Sequence, residues 1–386
     1  MNIIKYCSII LLVQFACSTT TTNSYQTPTY QSEFELFIYD TIEVKVLDQE
    51  LKFFDQNNKT ENFLLMSKTN GKIIYEIDTL GNLINAFDFI GQGDTLVGDY
   101  IFNLSYYYDT AILVNGRNGF YFYDLSGKFI KKSKEITAIR GYGGSRNLNT
   151  IPLIINNQEF LLLSLKNSLN EQFVSNFNHH SINEYKGATL YNLNNNKYGF
   201  VFPIEDNSIY RQKKMYYGDI LTYFTSDGES YYVIHNPDKN LYQYDLNFKL
   251  LNVIDLKPKY FKTPITYHYN EIPTIEKGDD IVNSLYRELN ANEDYVWVTY
   301  RSGIPMEEFN AMQSFNDLPR LFQTFMKYYL IVLSKENTII DNVRLPFPAV
   351  GVAHFKNPNS MILYTNSAVT ETIDGTIFFK AKLSKI

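Results

Sequence analysis

Apolar and polar positions alternate along this chain in short runs that end on turn residues, and three of those runs share one phrase. It reads Ile74-Tyr75-Glu76-Ile77-Asp78, then Gly81, then Leu83-Ile84. It returns as Phe120-Tyr121-Phe122-Tyr123-Asp124, Gly127 and Phe129-Ile130, and as Leu241-Tyr242-Gln243-Tyr244-Asp245, Phe248 and Leu250-Leu251. A degenerate copy occupies 330–340. Runs this short, rich in aromatic and branched residues and bounded by Asp, Asn and Gly, predict strands joined by tight turns. Self-similarity at a spacing of 46 residues, from Asp78 to Asp124, predicts an all-β array of small sheets closed into a β-propeller.

The clearest whole unit starts at Thr225: a turn at Ser226-Asp227-Gly228, a strand at 231–235, a turn at Asn236-Pro237-Asp238, a strand at 241–245 and a strand at 251–256. The same order recurs in 63–89 and 111–136 and, with longer loops, in 160–204 and 295–345. Strands at 361–364 and 376–383 make a sixth unit, which the N-terminal run Ile42, Val44 and Val46 completes. Joining the two ends in this way closes a six-bladed ring and removes its exposed edges. The domain is therefore read as 33–386, with one helical insertion at 305–327. There Met306, Phe309, Met312 and Phe315 form one apolar stripe, Pro319 restarts the helix, and Leu321, Phe322, Phe325 and Met326 form a second. The stripes either cap the end of the propeller or form a lid or docking patch.

Residues ahead of the propeller have a different character. Lys5, the apolar core Ile9-Ile10-Leu11-Leu12-Val13 and then Ala16-Cys17-Ser18 form an export leader, too short to span a bilayer, which needs ~20 apolar residues. Cys7 and Cys17 are the only cysteines, so cleavage before Cys17 leaves no intrachain disulfide. This arrangement resembles a bacterial lipoprotein signal, 1–16, in which Cys17 is lipidated, although Gln14 and Phe15 depart from the usual pattern; the alternative is ordinary cleavage after Ser18. Thr, Ser, Asn and Gln dominate 17–32, which reads as a flexible tether. The resulting address is the cell envelope. A periplasm-facing anchor is expected because Ser18-Thr19-Thr20-Thr21-Thr22, not an acidic run, follows Cys17.

Charge narrows the partners. With 35 Lys and Arg against 41 Asp and Glu, a net charge of −6 and no basic run beyond Lys131-Lys132 and Lys213-Lys214, the chain lacks the dense basic stripe that nucleic acid requires. The 32 Tyr and 28 Phe of 386 residues are enough for a large core.

Four-stranded blades send their second-to-third connections and their blade-to-blade connections to one end of the ring. All the long loops fall there: 91–94, 140–146, 167–187, 257–280 and 302–327. A rigid scaffold that gathers long loops on one face is expected to bind with that face. Arg140, Arg146 and Arg301 offer forked donors for a carboxylate or phosphate, and His179-His180 is the sole histidine pair. These five are the candidate ligand- or partner-binding residues, with internal ion pairs and plain loop surface as their alternatives. Neither glycine loop ends in Gly-Lys-Ser/Thr, Gly-x-Ser-x-Gly is absent, and adjacent histidines seldom ligate one metal. No catalytic residue, metal or cofactor is assigned.

The unit Tyr-x-x-Asp-x-x-Gly-x-x-Ile resembles those of TolB-like and NHL-like six-bladed propellers. With the leader and the size, the chain is similar to a family of propeller lipoproteins from the Bacteroides group of bacteria. That resemblance implies the fold and a membrane anchor and brings no reaction with it. The leading expectation is an envelope-anchored module that binds a small molecule or an envelope protein. Two others stand beside it: an exported lactonase-like hydrolase or lyase using the central channel, and a structural subunit of an envelope complex.

Overall fold

The computed structural model describes residues 24–26, 29–30, 34–46, 51–67, 73–116, 119–133, 139–140, 150–164, 166–167, 179–213, 215–216, 220–262, 267–268, 279–335, 338–365 and 377–385. Six sheets hold four sequential antiparallel strands each. Their innermost strands are Leu51–Gln56, Ile101–Tyr107, Thr150–Ile155, Leu221–Ser226, Leu285–Ala291 and Ala349–Asn357, for blades 1 to 6 in chain order. The sixth sheet runs Ala349–Asn357, Ser360–Thr365, Ile377–Lys385 and then Phe34–Glu43, so the N-terminal strand is its outermost member. The chain is a six-bladed β-propeller closed by its own two ends.

Blade strands are apolar on both faces because each face meets a neighbouring blade. Leu162 packs toward blade 4 while Leu161 and Leu163 pack toward blade 2, and Trp297 points to blade 6 while Val296 and Val298 point to blade 4. One apolar cluster results at each of the six junctions. Burying each such Leu, Val or Phe contributes about 1.5–3 kcal/mol. Every junction also carries a polar stitch near the channel. Asp55 accepts from the Tyr106 amide (blades 1 and 2), Asn103 donates to Thr150 (2 and 3), and Ser164 donates to the Thr222 carbonyl (3 and 4). Asn236 accepts from the Tyr286 amide (4 and 5), Glu288 from the Val352 amide (5 and 6), and His354 meets Gln56 (6 and 1).

The repeated phrase has a single physical cause. Asp78, Asp124 and Asp245 each use Oδ1 to accept two backbone N–H groups of the turn between third and fourth strands, two and four residues on, at 2.8–2.9 Å. The turn needs a left-handed residue, which is Gly81 (φ 79°), Gly127 (φ 84°) or, in the third copy, Phe248 (φ 63°). Phe248 sits there because its ring stacks on Tyr231 at 5.1 Å. Gly81 has a further reason, since a Cβ would fall on the Glu43 carbonyl of the closing strand.

One expectation is corrected. Ser24–Gln26 and Thr29–Tyr30 lie inside the segment read as a flexible tether, yet they pair in parallel with Leu250–Asp255 and Thr338–Arg344, the outer strands of blades 4 and 5. Those strands offered free hydrogen-bonding edges, and the chain covers them on its way to blade 6. In the last strand Phe379, Ala381 and Leu383 face blade 5, and Phe378 faces the other way, toward blade 1, where it is buried against Phe63 at 5.1 Å.

Candidate functional site

The central channel opens into a cavity of about 730 Å³, a size suited to a small molecule. Its walls are the innermost strands, and its rim is built by the turns that leave them: Asn58 and Glu61 of blade 1, Tyr108 and Asp109 of blade 2, Asp227 of blade 4, Asn292 to Asp294 of blade 5. These are the short first-to-second strand turns. The cavity therefore opens at the end opposite the long loops, the face on which binding is expected from the sequence.

Asp55 lies deep in this cavity, with part of its surface still in contact with cavity solvent. Its carboxylate accepts from the Tyr106 and Gln56 amides at 2.7 and 2.8 Å. Burial outweighs these bonds and, with Asp109 nearby, pushes its pKa up to about 7. Beside it, Gln56 donates through Nε2 to the Glu61 carbonyl, so its Oε1 is the acceptor and His354 Nδ1 the donor, at 2.6 Å. That fixes the tautomer of a ring whose pKa burial lowers. His354 Nε2 then carries the lone pair, with no hydrogen-bond partner among the described residues.

Glu288, on the innermost strand of blade 5, is buried and accepts from Thr299 Oγ1 at 3.1 Å, the Val352 amide at 3.2 Å and the Tyr364 hydroxyl. Burial raises its pKa. Tyr364 belongs to the second strand of blade 6 and reaches Glu288 across the innermost strand. It can do so because Gly351 stands in the way with no side chain; a Cβ there would sit 2.6 Å from the Tyr364 hydroxyl.

The expected site residues are not brought together here. Arg301 ends the strand Tyr295–Arg301, is 7% exposed and donates to the Asn283 carbonyl at 3.5 Å, so it is a buried residue rather than a rim donor. Arg140 pairs with Lys166 in a two-strand ladder, and His179 and His180 begin the short helix His179–Glu184. Arg146 and Cys17 lie outside the described residues. Gly91 bridges to Gly98, which makes the first glycine loop a simple turn. In the insertion the second apolar stripe caps the long-loop end: Leu321 and Met326 are buried with Ile304, while Met306 of the first stripe is 38% exposed.

Among solved structures the chain is similar to a member of the DUF4221 family from Bacteroides vulgatus, with 13% identity, a TM-score of 0.61 and coverage of 92% of this chain and 100% of that one. The likeness shows the propeller fold. It agrees with the resemblance to Bacteroides-group propellers drawn from the sequence. A streptogramin B lyase (10% identity, 91% and 98% covered, TM-score 0.44) and a gluconolactonase from Xanthomonas campestris (8%, 95% and 99%, 0.43) are similar at a lower level. No protein-family model and no curated protein matches the chain.

Proposed function

We propose that this propeller is an envelope-anchored binding module, held to a membrane through lipidated Cys17, whose ligand seat is the channel mouth at the short-turn end. One observation carries the reading: a roughly 730 Å³ cavity whose walls and rim bring together polar side chains from separate blades. Among them, His354 Nε2 has no described partner and the Asn290 amide makes no described hydrogen bond. A rigid ring holds such groups at fixed positions, which lowers the cost of ordering a ligand. Asn290→Trp should fill the mouth and abolish the saturation transfer that wild type gives with members of a mixed small-molecule library; equal responses from both proteins would refute the seat.

A second reading, an exported hydrolase or lyase acting in the channel, is supported by the presence in one cavity of Asp55, poised near neutrality, and the unprotonated His354 Nε2. No three His, Cys, Asp or Glu side chains among the described residues are grouped to hold a metal ion. Turnover of a lactone panel that Asp55→Asn removes would favour this reading over simple binding.

A further inference from the structure

We propose that Arg287 forms a second binding site, separate from the channel mouth, for the carboxylate of a small organic acid. The seat at the mouth plays no part in it.

A bulge aims the side chain. Along Leu285–Ala291, Tyr286 stands opposite Tyr300 and Glu288 opposite Thr299, so Arg287 is an extra residue with no partner on the next strand. Irregularities of this kind re-aim a side chain. Tyr286 and Leu289 pack toward blade 4, and Glu288 reaches blade 6. Arg287 lies in the half of the strand nearer the long loops and is not on the wall of the short-turn cavity.

Around the guanidinium stand Tyr223 of blade 4, Tyr328 of blade 5 and Tyr364 of blade 6, with Glu288 beside them, all close enough to act on its charge. Yet Arg287 makes no side-chain hydrogen bond and no ion pair among the described residues. Glu288 does not quench it, because its carboxylate is taken by Thr299 Oγ1, the Val352 amide and the Tyr364 hydroxyl. Arg287 is half-buried, and its nitrogens are not among the unpartnered atoms sealed from water, so a ligand can reach them. A guanidinium stays protonated at any working pH and carries five donors in a planar fork. Leaving that charge unpaired in a low-dielectric channel is costly, and an anionic acceptor removes the cost.

The neighbours decide the class of anion. One cation beside one carboxyl group suits a single negative charge better than a doubly charged phosphate, and the two oxygens of a carboxylate match the fork. Tyr328 supplies a further donor. Its hydroxyl is spent on the Met326 sulfur at 3.4 Å, a weak acceptor that it can leave for a carboxylate oxygen. The tyrosine rings offer apolar faces to the rest of the acid.

The test is saturation transfer from the detergent-extracted full chain to benzoate, benzamide and phenyl phosphate. Benzoate should respond, whereas its neutral isostere benzamide and phenyl phosphate should not. Arg287→Met keeps an apolar stem without the charge. It should abolish the benzoate response, and its urea midpoint should equal or exceed that of wild type because an unpaired charge is gone. Tyr328→Phe should weaken benzoate binding about fivefold. Asn290→Trp, which fills the mouth, should leave the benzoate response in place. Benzoate that stays silent with wild type, responds no better than benzamide or phenyl phosphate, or survives Arg287→Met would overturn the site. A clearly lower urea midpoint for Arg287→Met would overturn the unpaired guanidinium, and loss of the response in Asn290→Trp would overturn a site separate from the mouth.

Discussion

Asp55 should be a group that the fold tolerates at a cost. Its pKa rises from the ordinary 3.8 to about 7 on folding, chiefly through burial. The folded state therefore holds the proton more tightly than the unfolded chain. The stability this contributes is fully present below 3.8 and is lost as pH rises through about 7. Across that window the loss is about 4 kcal/mol at most, at 1.36 kcal/mol per pH unit. Contact with cavity water screens the charge and brings the expected value to about 2–3 kcal/mol. Asp55→Asn removes the charge and keeps one carbonyl for the Tyr106 amide, but loses the second acceptor, which costs about 1 kcal/mol. Urea melts should then find the variant about 1–2 kcal/mol more stable than wild type at pH 8.5 and about 1 kcal/mol less stable at pH 4. A difference that does not change with pH, or one that favours wild type at pH 8.5, would refute the reasoning. A costly carboxyl kept in a channel is what a functional trade-off leaves behind.

Three other outcomes are expected. Gly351→Ala should push Tyr364 off Glu288 and destabilise the protein by about 2–5 kcal/mol, from overpacking and an unpaired buried group; a urea midpoint equal to wild type would contradict this. Deleting 33–47 removes the outermost strand of blade 6, Phe34–Glu43, and should yield aggregation and loss of cooperative unfolding, whereas a monomer with an unchanged melting temperature would mean that the ends do not close the ring. Cys17→Ala should move the protein from the membrane fraction to the soluble one, since each buried acyl CH₂ contributes about 0.8 kcal/mol of membrane affinity; a wild-type protein found soluble, with its N-terminus at Thr19, would end the lipid-anchor proposal.

The ring was legible in the sequence because its turns are local. Asp78, Asp124 and Asp245 each hold a turn within five residues, so the phrase marks blades 1, 2 and 4 directly. Blade 3 escaped the phrase because Asn192 takes the Asp role and its turn is one residue longer, closing on Lys197. Covering of the outer edges by 24–26 and 29–30 was not legible, since Thr- and Gln-rich composition says nothing about a free strand edge elsewhere. The channel mouth was hidden for the opposite reason to the turns: Asp55, Glu288 and His354 lie some 60 to 300 residues apart and meet only when the ring closes. A signal did exist. Each is a titratable residue inside an apolar strand, as in Phe53-Phe54-Asp55, Glu288-Leu289 and Val352-Ala353-His354, where burial requires a partner or a purpose.

The location of the ligand seat is tested most directly by amide hydrogen exchange with and without a saturating small molecule chosen from the library members that give saturation transfer with wild type. Amides of the short turns at 57–62, 108–110, 227–230 and 292–294 should slow on binding, while those of the insertion at 302–327 stay unchanged. Slowing confined to 302–327, with the short turns unaffected, would return the working face to the long loops and contradict the account.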